Sequence, residues 1–158
     1  MANEHERAKK VYLDICRFFD SKKWNYDKFD NDLVIACNIS SEDLNLKFLV
    51  FTYPDKEIVK FICKVPVTVP DKRMYEFAVA TCMVNYRLSY GNFVYDISKG
   101  VITFENCLSY LDSQVTCDAI EFLFDFSYFF ANKYSGLFYA LAKGVMDFKE
   151  FYDAIHSD

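Results

Sequence analysis

The chain has 158 residues and a formal net charge of −5, with 53% hydrophobic and 19% aromatic residues. This length fits one domain with a sizeable core, and the hydrophobic content excludes a disordered chain. The acidic balance disfavours nucleic-acid binding, because no run of Lys or Arg provides a local exception. We expect a single domain over residues 1–158, with a core at about 5–145 and a short C-terminal helix at 147–155.

The first predicted element is an amphipathic helix over about residues 4–22. Its apolar side chains recur at three- and four-residue spacing, which forms one stripe on a helix. That stripe needs a packing partner, and a sheet is the expected one. The stripe consists of Ala8, Val11, Tyr12, Ile15, Phe18 and Phe19.

Three predicted strands follow, at residues 33–39, 44–53 and 58–65. Apolar and other residues alternate along them, and the apolar positions are rich in β-branched and aromatic types. The short polar connections at 40–43 and 54–57 fit an antiparallel meander. Pro66 and Pro70 are expected to end the third strand, because proline cannot donate to a sheet ladder.

A central helix is predicted from about residue 71 to 88, capped by Asp71 or by Thr68. It is apolar on more than one side, so we expect it to be broadly buried. Gly91 is expected to adopt a positive φ before a hairpin strand. The loop at 98–100 places a glycine where a short hairpin needs a left-handed residue, and 101–105 pairs back.

The last large element is a long helix from about residue 115 to 143, with Gly144 as its end and Gly136 as a place where it could bend. A terminal helix at 147–155 is expected to be loosely held. The long helix has two apolar sides. One side carries Cys117, Ile120, Phe124, Tyr128 and Ala131, and the other carries Phe122, Phe126, Phe129 and Phe130.

In this order of elements the chain resembles the YbjN family, whose fold is similar to that of type III secretion chaperones. The similarity lies in short motifs whose order and spacing are together fairly specific, over residues 5 to 145. They are Val69-Pro70-Asp71, Asn85-Tyr86, Gly91-Asn92-Phe93 with Asp96 leading into Lys99-Gly100, and the closing Gly144. The chain departs from the family in the Phe content of its long helix and in the apolar second face of its first strands.

The resemblance implies an α+β fold: an antiparallel sheet, made of a three-strand meander plus a hairpin, packed against N-terminal, central and long C-terminal helices. It also implies a bacterial cytoplasmic protein, often dimeric in the related chaperones, and a family described as a regulator of sensory transduction. No catalytic residues and no cofactor come with it.

Targeting signals and reactive cysteines are not evident in the sequence. The charged N-terminus lacks the apolar stretch of a secretory signal, and the most apolar window, 122–142, contains Asp125 and Lys133. We therefore expect a cytoplasmic protein with no membrane partner. The six cysteines include no Cys-x-x-Cys pair and lie mostly in apolar runs, which predicts buried free thiols.

Candidate chemistry is sparse, and we predict no enzymatic activity. His5 and His156 lie at opposite ends of the chain, where rigid support for a site is not expected. Asp118, Glu121 and Asp125 share a helix side, so they form either a solvated polar stripe or a cation site; the first reading is favoured. Asn85 is expected to have a structural role, either capping the central helix or bracing the hairpin, rather than to contact a ligand.

The aromatic side of the long helix is the main functional clue. Its four Phe residues cannot all face the core that the opposite side faces, which leaves a buried layer, a dimer interface or a ligand groove as interpretations. We expect a homodimeric, non-enzymatic protein-binding or regulatory module without nucleic-acid partners. The alternative is a small-molecule binder or unrecognised enzyme with a cleft between the long helix and the sheet. The candidate interface is Phe122, Phe126, Phe129 and Phe130.

Overall fold

The computed structural model describes residues 2–40 and 45–157, which fold as one antiparallel sheet with four helices. The predicted connection at 41–43 and Leu44 lie outside the described residues. The elements are α1 (Ala2–Ser21), β1 (Asp27–Phe29), β2 (Val34–Ser40), β3 (Asn45–Tyr53), β4 (Ile58–Thr68), a 3₁₀ turn (Asp71–Arg73), α2 (Met74–Tyr86), β5 (Asn92–Asp96), β6 (Val101–Ser109), α3 (Cys117–Lys143) and α4 (Phe148–His156).

The sheet has six strands in the order β1-β2-β3-β4-β6-β5, and each neighbouring pair is antiparallel. The predicted meander is β2-β3-β4 and the predicted hairpin is β5-β6. The short β1 is an addition that the sequence did not reveal, since three exposed residues carry no alternating pattern. It pairs with residues 34–36 of β2, and within residues 2–40 and 45–157 nothing pairs with the rest of that edge of β2, which we call the open edge.

The core lies between one face of the sheet and the helices. Alternate strand residues such as Ile35, Phe48, Phe61 and Phe104 are fully buried there. Helix α3 crosses β3, β4 and β6, while α1 contacts β3 and α3, and α2 packs on β5. The apolar stripe predicted for α1 is buried throughout, because it faces this layer.

The expectation that Pro66 ends the third strand is wrong, because β4 continues to Thr68. The pairing of β4 with β3 stops at Lys64, and its pairing with β6 becomes irregular between Lys64 and Thr68. Proline lacks only an N–H, so an irregular stretch with a partner on one side tolerates it.

The central helix differs from the prediction in its cap and its burial. Neither Asp71 nor Thr68 caps it, since a 3₁₀ turn precedes α2 and neither start has a side-chain cap. Phe77, Ala80 and Val84 are buried against the sheet layer. The opposite side is exposed, so the prediction of broad burial is wrong: hydrophobicity on all sides does not show how many sides the fold covers. The exposed stripe is Tyr75, Val79, Cys82 and Tyr86.

The hairpin matches the expected geometry. Gly91 has a φ of 65° and Gly100 a φ of 62°. A Cβ on Gly91 would lie 2.7 Å from the Phe104 ring, so a side chain there would collide with the core as well as strain the backbone. Gly91 is therefore required by the turn from α2 into β5, and Gly100 by the hairpin loop between β5 and β6.

The two C-terminal helices are both well anchored. Thr116 caps the start of α3, which runs without interruption through Gly136 and ends at Gly144 in the left-handed conformation. Helix α4 is not loosely held as expected, because Phe151 and Ile155 are fully buried. A capping box formed by Asp147 and Glu150 starts it.

Candidate functional site

The aromatic side of α3 forms a partly exposed surface, which we call the aromatic surface and define as Tyr90, Phe122, Phe126, Phe129 and Phe130. Phe122 is 54% exposed and Phe129 is 58% exposed. Phe126 and Phe130 are partly buried and pack against the core. The structure therefore divides the four predicted residues into two that reach solvent and two that support them.

Ring contacts hold this surface in place. The Phe126 and Phe130 ring centroids are 4.5 Å apart, and both rings contact the buried Phe104. Tyr90 lies 5.7 Å from both Phe122 and Phe126, centroid to centroid. Since these contacts fix the rings before any partner arrives, little side-chain entropy remains to be lost on binding.

Tyr90 is the member of the aromatic surface that sequence reasoning missed. It lies in the turn between α2 and β5, and its hydroxyl donates to the Cys107 carbonyl oxygen at 3.1 Å. Burial raises the pKa of this phenol. No periodic pattern marks a residue in a turn, so only the folded chain shows that it meets α3.

Asn85 braces the hairpin, as expected. Its side chain donates to the Phe93 carbonyl oxygen at 2.8 Å and accepts from the Phe93 amide at 2.7 Å. Both backbone groups belong to β5, the edge strand of the sheet, so the amide acts as a neighbouring strand would. This arrangement assigns Asn85 to the fold rather than to ligand binding.

The acidic residues of α3 do not come together as a metal site. Glu121 pairs with Lys22, the residue after α1, and Asp118 and Asp125 are exposed. Within the described ranges, no group of three His, Cys, Asp or Glu residues could hold a metal ion.

The histidines lie in helices rather than in frayed ends. His5 is exposed on α1, and His156 ends α4, where its ring stacks on Tyr152 and its Nδ1 contacts the Tyr152 carbonyl oxygen. Both are on the surface, and neither is enclosed by other polar groups in a cavity.

The cysteines are all free, and the expectation of burial holds for half of them. Cys16, Cys37 and Cys63 are buried, and burial raises the pKa of each thiol, that of Cys37 to about 12. Cys82, Cys107 and Cys117 are exposed, because they lie at helix and strand positions that face away from the core. The raised pKa makes the buried thiols poor nucleophiles.

A cleft lies between α3 and the open edge of β2. It has a volume of about 460 Å³ and is lined by Trp24, Phe124, Asp125, Tyr128 and residues 37–40. The Leu33 carbonyl oxygen accepts from the Thr52 amide at 3.1 Å, which fixes the alternation of hydrogen bonds along β2. By that alternation, the backbone groups of Asn38 point away from β3, toward the edge where β1 lies, but at a position beyond the residues 34–36 that β1 pairs with.

The comparisons with known proteins support the fold. A chain from the crystal structure of the ExsC-ExsE complex superposes with a TM-score of 0.55 and 12% identity, over 82% of this chain and 93% of that chain. No family model and no curated protein sequence matches the chain. The chain therefore has the α+β fold of type III secretion chaperones, while the resemblance to the YbjN family stays a prediction.

Among the described residues, none of the helices is long and apolar enough to cross a membrane. Helix α3 has the length, at 27 residues, but its outward side carries charged residues.

Proposed function

We propose that this chain is a non-enzymatic, chaperone-like module of the YbjN type that binds protein partners in the bacterial cytoplasm. Its contact site is the aromatic surface, and its first partner is a second copy of the chain. The observation that carries the proposal is the exposure of Phe122 and Phe129 above a rigid aromatic layer. The similar solved structure, the ExsC-ExsE complex, is itself an assembly of two proteins.

The energetics favour such a contact. Large aromatic side chains carry much of the binding energy at interface centres, because each buries a wide area and has few rotatable bonds. Both exposed rings are more than half open to water in the isolated chain. Covering them removes apolar area from water without the cost of ordering mobile side chains.

Light scattering at micromolar concentration tests the proposal, with the wild type expected as a dimer. Phe122→Asp should shift it to a monomer, since a carboxylate would be buried at the contact. Phe122 suits this test better than Phe126, because Phe126 packs on the core and its change could unfold the chain. Leu111→Asp is the matched control, since Leu111 is 57% exposed in a loop. A monomeric wild type, or equal behaviour of both variants, would contradict the proposal.

A second candidate is a small-molecule binder that uses the cleft between α3 and β2. The cleft combines an apolar wall, formed by Trp24, Phe124 and Tyr128, with polar backbone groups along the edge of β2. Small-molecule sites typically have such an apolar lining with a few polar groups. Native mass spectrometry of the purified chain should then show a retained mass that Tyr128→Ala releases. This second function would be contradicted if the wild type has the mass of the chain alone and no compound in a ligand library raises its melting temperature.

A further inference from the structure

The face of the sheet opposite the helices carries a set of apolar residues that do not belong to the core. They lie at alternate positions of β2, β3 and β4, and none of them is among the residues that form the buried core or pack against it. Such positions are usually polar in a sheet whose second face is left to water. We call this set the outer apolar patch and define it as Val34, Ala36, Leu49, Phe51, Tyr53, Ile58 and Ile62.

The strand register makes the patch continuous across the three strands. Leu49 lies between Ala36 of β2 and Ile62 of β4. The Phe51 ring stacks on the Tyr53 ring, with the two centroids 5.7 Å apart. The members of the patch on β3 and β4 are partly exposed. The patch is therefore one connected apolar surface, whereas apolar residues scattered singly over a protein need no explanation.

Two lysines border the patch on the same face. Lys47 of β3 and Lys64 of β4 are exposed and lie directly opposite each other, each two residues along its strand from a member of the patch. Like charges in this position destabilise a sheet. The next residues in the same row, Asn38 and Thr103, are uncharged. Neither lysine has an ion-pair partner within residues 2–40 and 45–157.

A third lysine on this face is neutralised within the chain. Lys60 pairs with Glu105 of β6, which also accepts from the Thr103 hydroxyl at 3.0 Å. Glu105 is the one acid among the outward positions of β3, β4 and β6, strands that the structure describes in full. Lys47 and Lys64 therefore remain unmatched, although the whole chain has a net charge of −5. An anionic group from a partner would remove the repulsion between them.

The position of the patch restricts what can cover it. Strands β3 and β4 each have a hydrogen-bonded neighbour on both sides, so they offer no backbone groups to an added strand. The occupant must therefore pack through side chains, and an amphipathic helix can do so because its own backbone groups are already paired. A second copy of this face does not fit, because it repeats the surplus of lysine rather than supplying acid.

The length of the surface gives the length of the helix. Residues 47–53 of β3 extend over about 20 Å at the rise of a strand, and an α-helix of about 13 residues has the same length. The apolar residues occupy one end of this span and the two lysines the other. The matching helix has an apolar stripe that ends in a turn with acidic residues.

We propose that the outer apolar patch is a second docking surface, which binds an amphipathic helix of a partner protein with acidic residues in one terminal turn. The apolar stripe of that helix covers Leu49, Phe51 and Ile62, and its carboxylates pair with Lys47 and Lys64. This inference goes beyond the proposed function, because the patch lies on the face of the sheet opposite α3 and the aromatic surface.

Fluorescence anisotropy with two synthetic peptides tests the docking. Both peptides are stapled helices of about 13 residues with the same leucine stripe, and one carries Glu where the other carries Gln in its first turn. The acidic peptide should bind the wild type about tenfold more tightly than the Gln peptide. Lys47→Glu should remove this preference, and Leu49→Thr should weaken both peptides. Equal binding of the two peptides to the wild type, or no binding of either, would overturn the inference.

The matched control for charge is Lys9→Glu, which makes the same change at an exposed position of α1. It should bind both peptides as the wild type does. A loss equal to that of Lys47→Glu would mean that the peptide responds to net charge rather than to this face, which would also overturn the inference.

The stability of the unbound chain supplies a second test, with effects of opposite sign. Lys47→Glu should raise the melting temperature by about 1–4 °C, because it replaces two like charges by an opposite pair across the strands. Lys60→Glu should lower the melting temperature, because it breaks the pair with Glu105. A lower melting temperature for Lys47→Glu would contradict the repulsion from which the acidic partner is inferred.

Two further outcomes would identify a different occupant. If the wild type binds phosphatidylserine vesicles but neither peptide, and Lys47→Glu prevents the vesicle binding, the face contacts lipid and the inference is wrong. If Phe122→Asp removes peptide binding and Lys47→Glu does not, the helix binds the aromatic surface. The inference then fails, while the proposed function stands.

Discussion

The two sides of α3 differ in how their aromatic residues are used. On the inner side, Phe138 is fully buried and its ring lies within 6.2 Å of the rings of Phe77, Phe93 and Phe151. On the outer side, Phe122 and Phe129 are more than half exposed. The same residue type therefore serves folding on one side and is available for association on the other, which composition cannot separate.

The inner side of α3 also makes polar contacts with the sheet, at Asn106 of β6. The Asn106 side chain, 5% exposed, donates to the Leu123 carbonyl oxygen at 3.2 Å and to the Ser127 hydroxyl at 2.9 Å. Ser127 in turn donates to the Leu123 carbonyl oxygen at 2.7 Å. A directional bond in an apolar layer favours one register of helix on sheet, which apolar contacts alone do not.

The largest effect is expected at Phe138. Phe138→Ala should lower the free energy of unfolding by about 3–5 kcal/mol, because it removes a fully buried ring and leaves a cavity. Tyr139→Ala, at the adjacent but half-exposed position, is the control and should change it by less than about 1 kcal/mol. Urea unfolding measures both. Equal losses of unfolding free energy for the two variants would contradict the assignment of one side of α3 to the core and the other to the surface.

An intermediate effect is expected at Asn106. Asn106→Ala should cost about 1–3 kcal/mol, since it removes hydrogen bonds in a buried layer. A double-mutant cycle with Ser127→Ala should give a coupling of about 1 kcal/mol. Cys107→Ala, at the next and exposed position of β6, is the control for the strand. A coupling near zero would mean that the Asn106–Ser127 bond does not contribute to the position of α3.

The smallest effect on folding is expected at Phe122. Phe122→Ala should change the free energy of unfolding of the monomer by less than about 1 kcal/mol, because more than half of the ring already faces water. Leu123→Ala, one residue on and 2% exposed, should cost about 2–5 kcal/mol. Denaturation at nanomolar concentration keeps association out of the measurement. A large loss for Phe122→Ala would assign its ring to the core.

Much of the fold, including the two apolar sides of α3, could be predicted from the sequence. The periodicity over about residues 115–143 predicted one long helix with two apolar sides, which the structure shows at Cys117–Lys143, and Gly144 predicted its end. The alternation in β2, β3 and β4 predicted the meander, and the structural role predicted for Asn85 is confirmed, since it braces the hairpin. These features depend on local spacing and turn chemistry, so they can be predicted with little knowledge of long-range contacts.

Other features were wrong or missing because they depend on what lies beside an element. The α2 helix is apolar on all sides, yet its Tyr75-to-Tyr86 stripe is exposed, since the sheet covers only one side of it. Helix α4 is held by two buried residues whose partners are distant in sequence. Strand β4 passes through Pro66 because its pairing there is one-sided and irregular.

The sequence by itself determined the α+β class and the order of all the main helices and strands except β1, because hydrophobic periodicity and turn residues are local. It also identified the four Phe residues of the candidate surface. Only the tertiary structure decided which two of them reach solvent, that Tyr90 joins them, and that Gly136 has open space above it. The reason is that exposure is a property of the neighbours that the fold brings together, and those neighbours are remote in the chain.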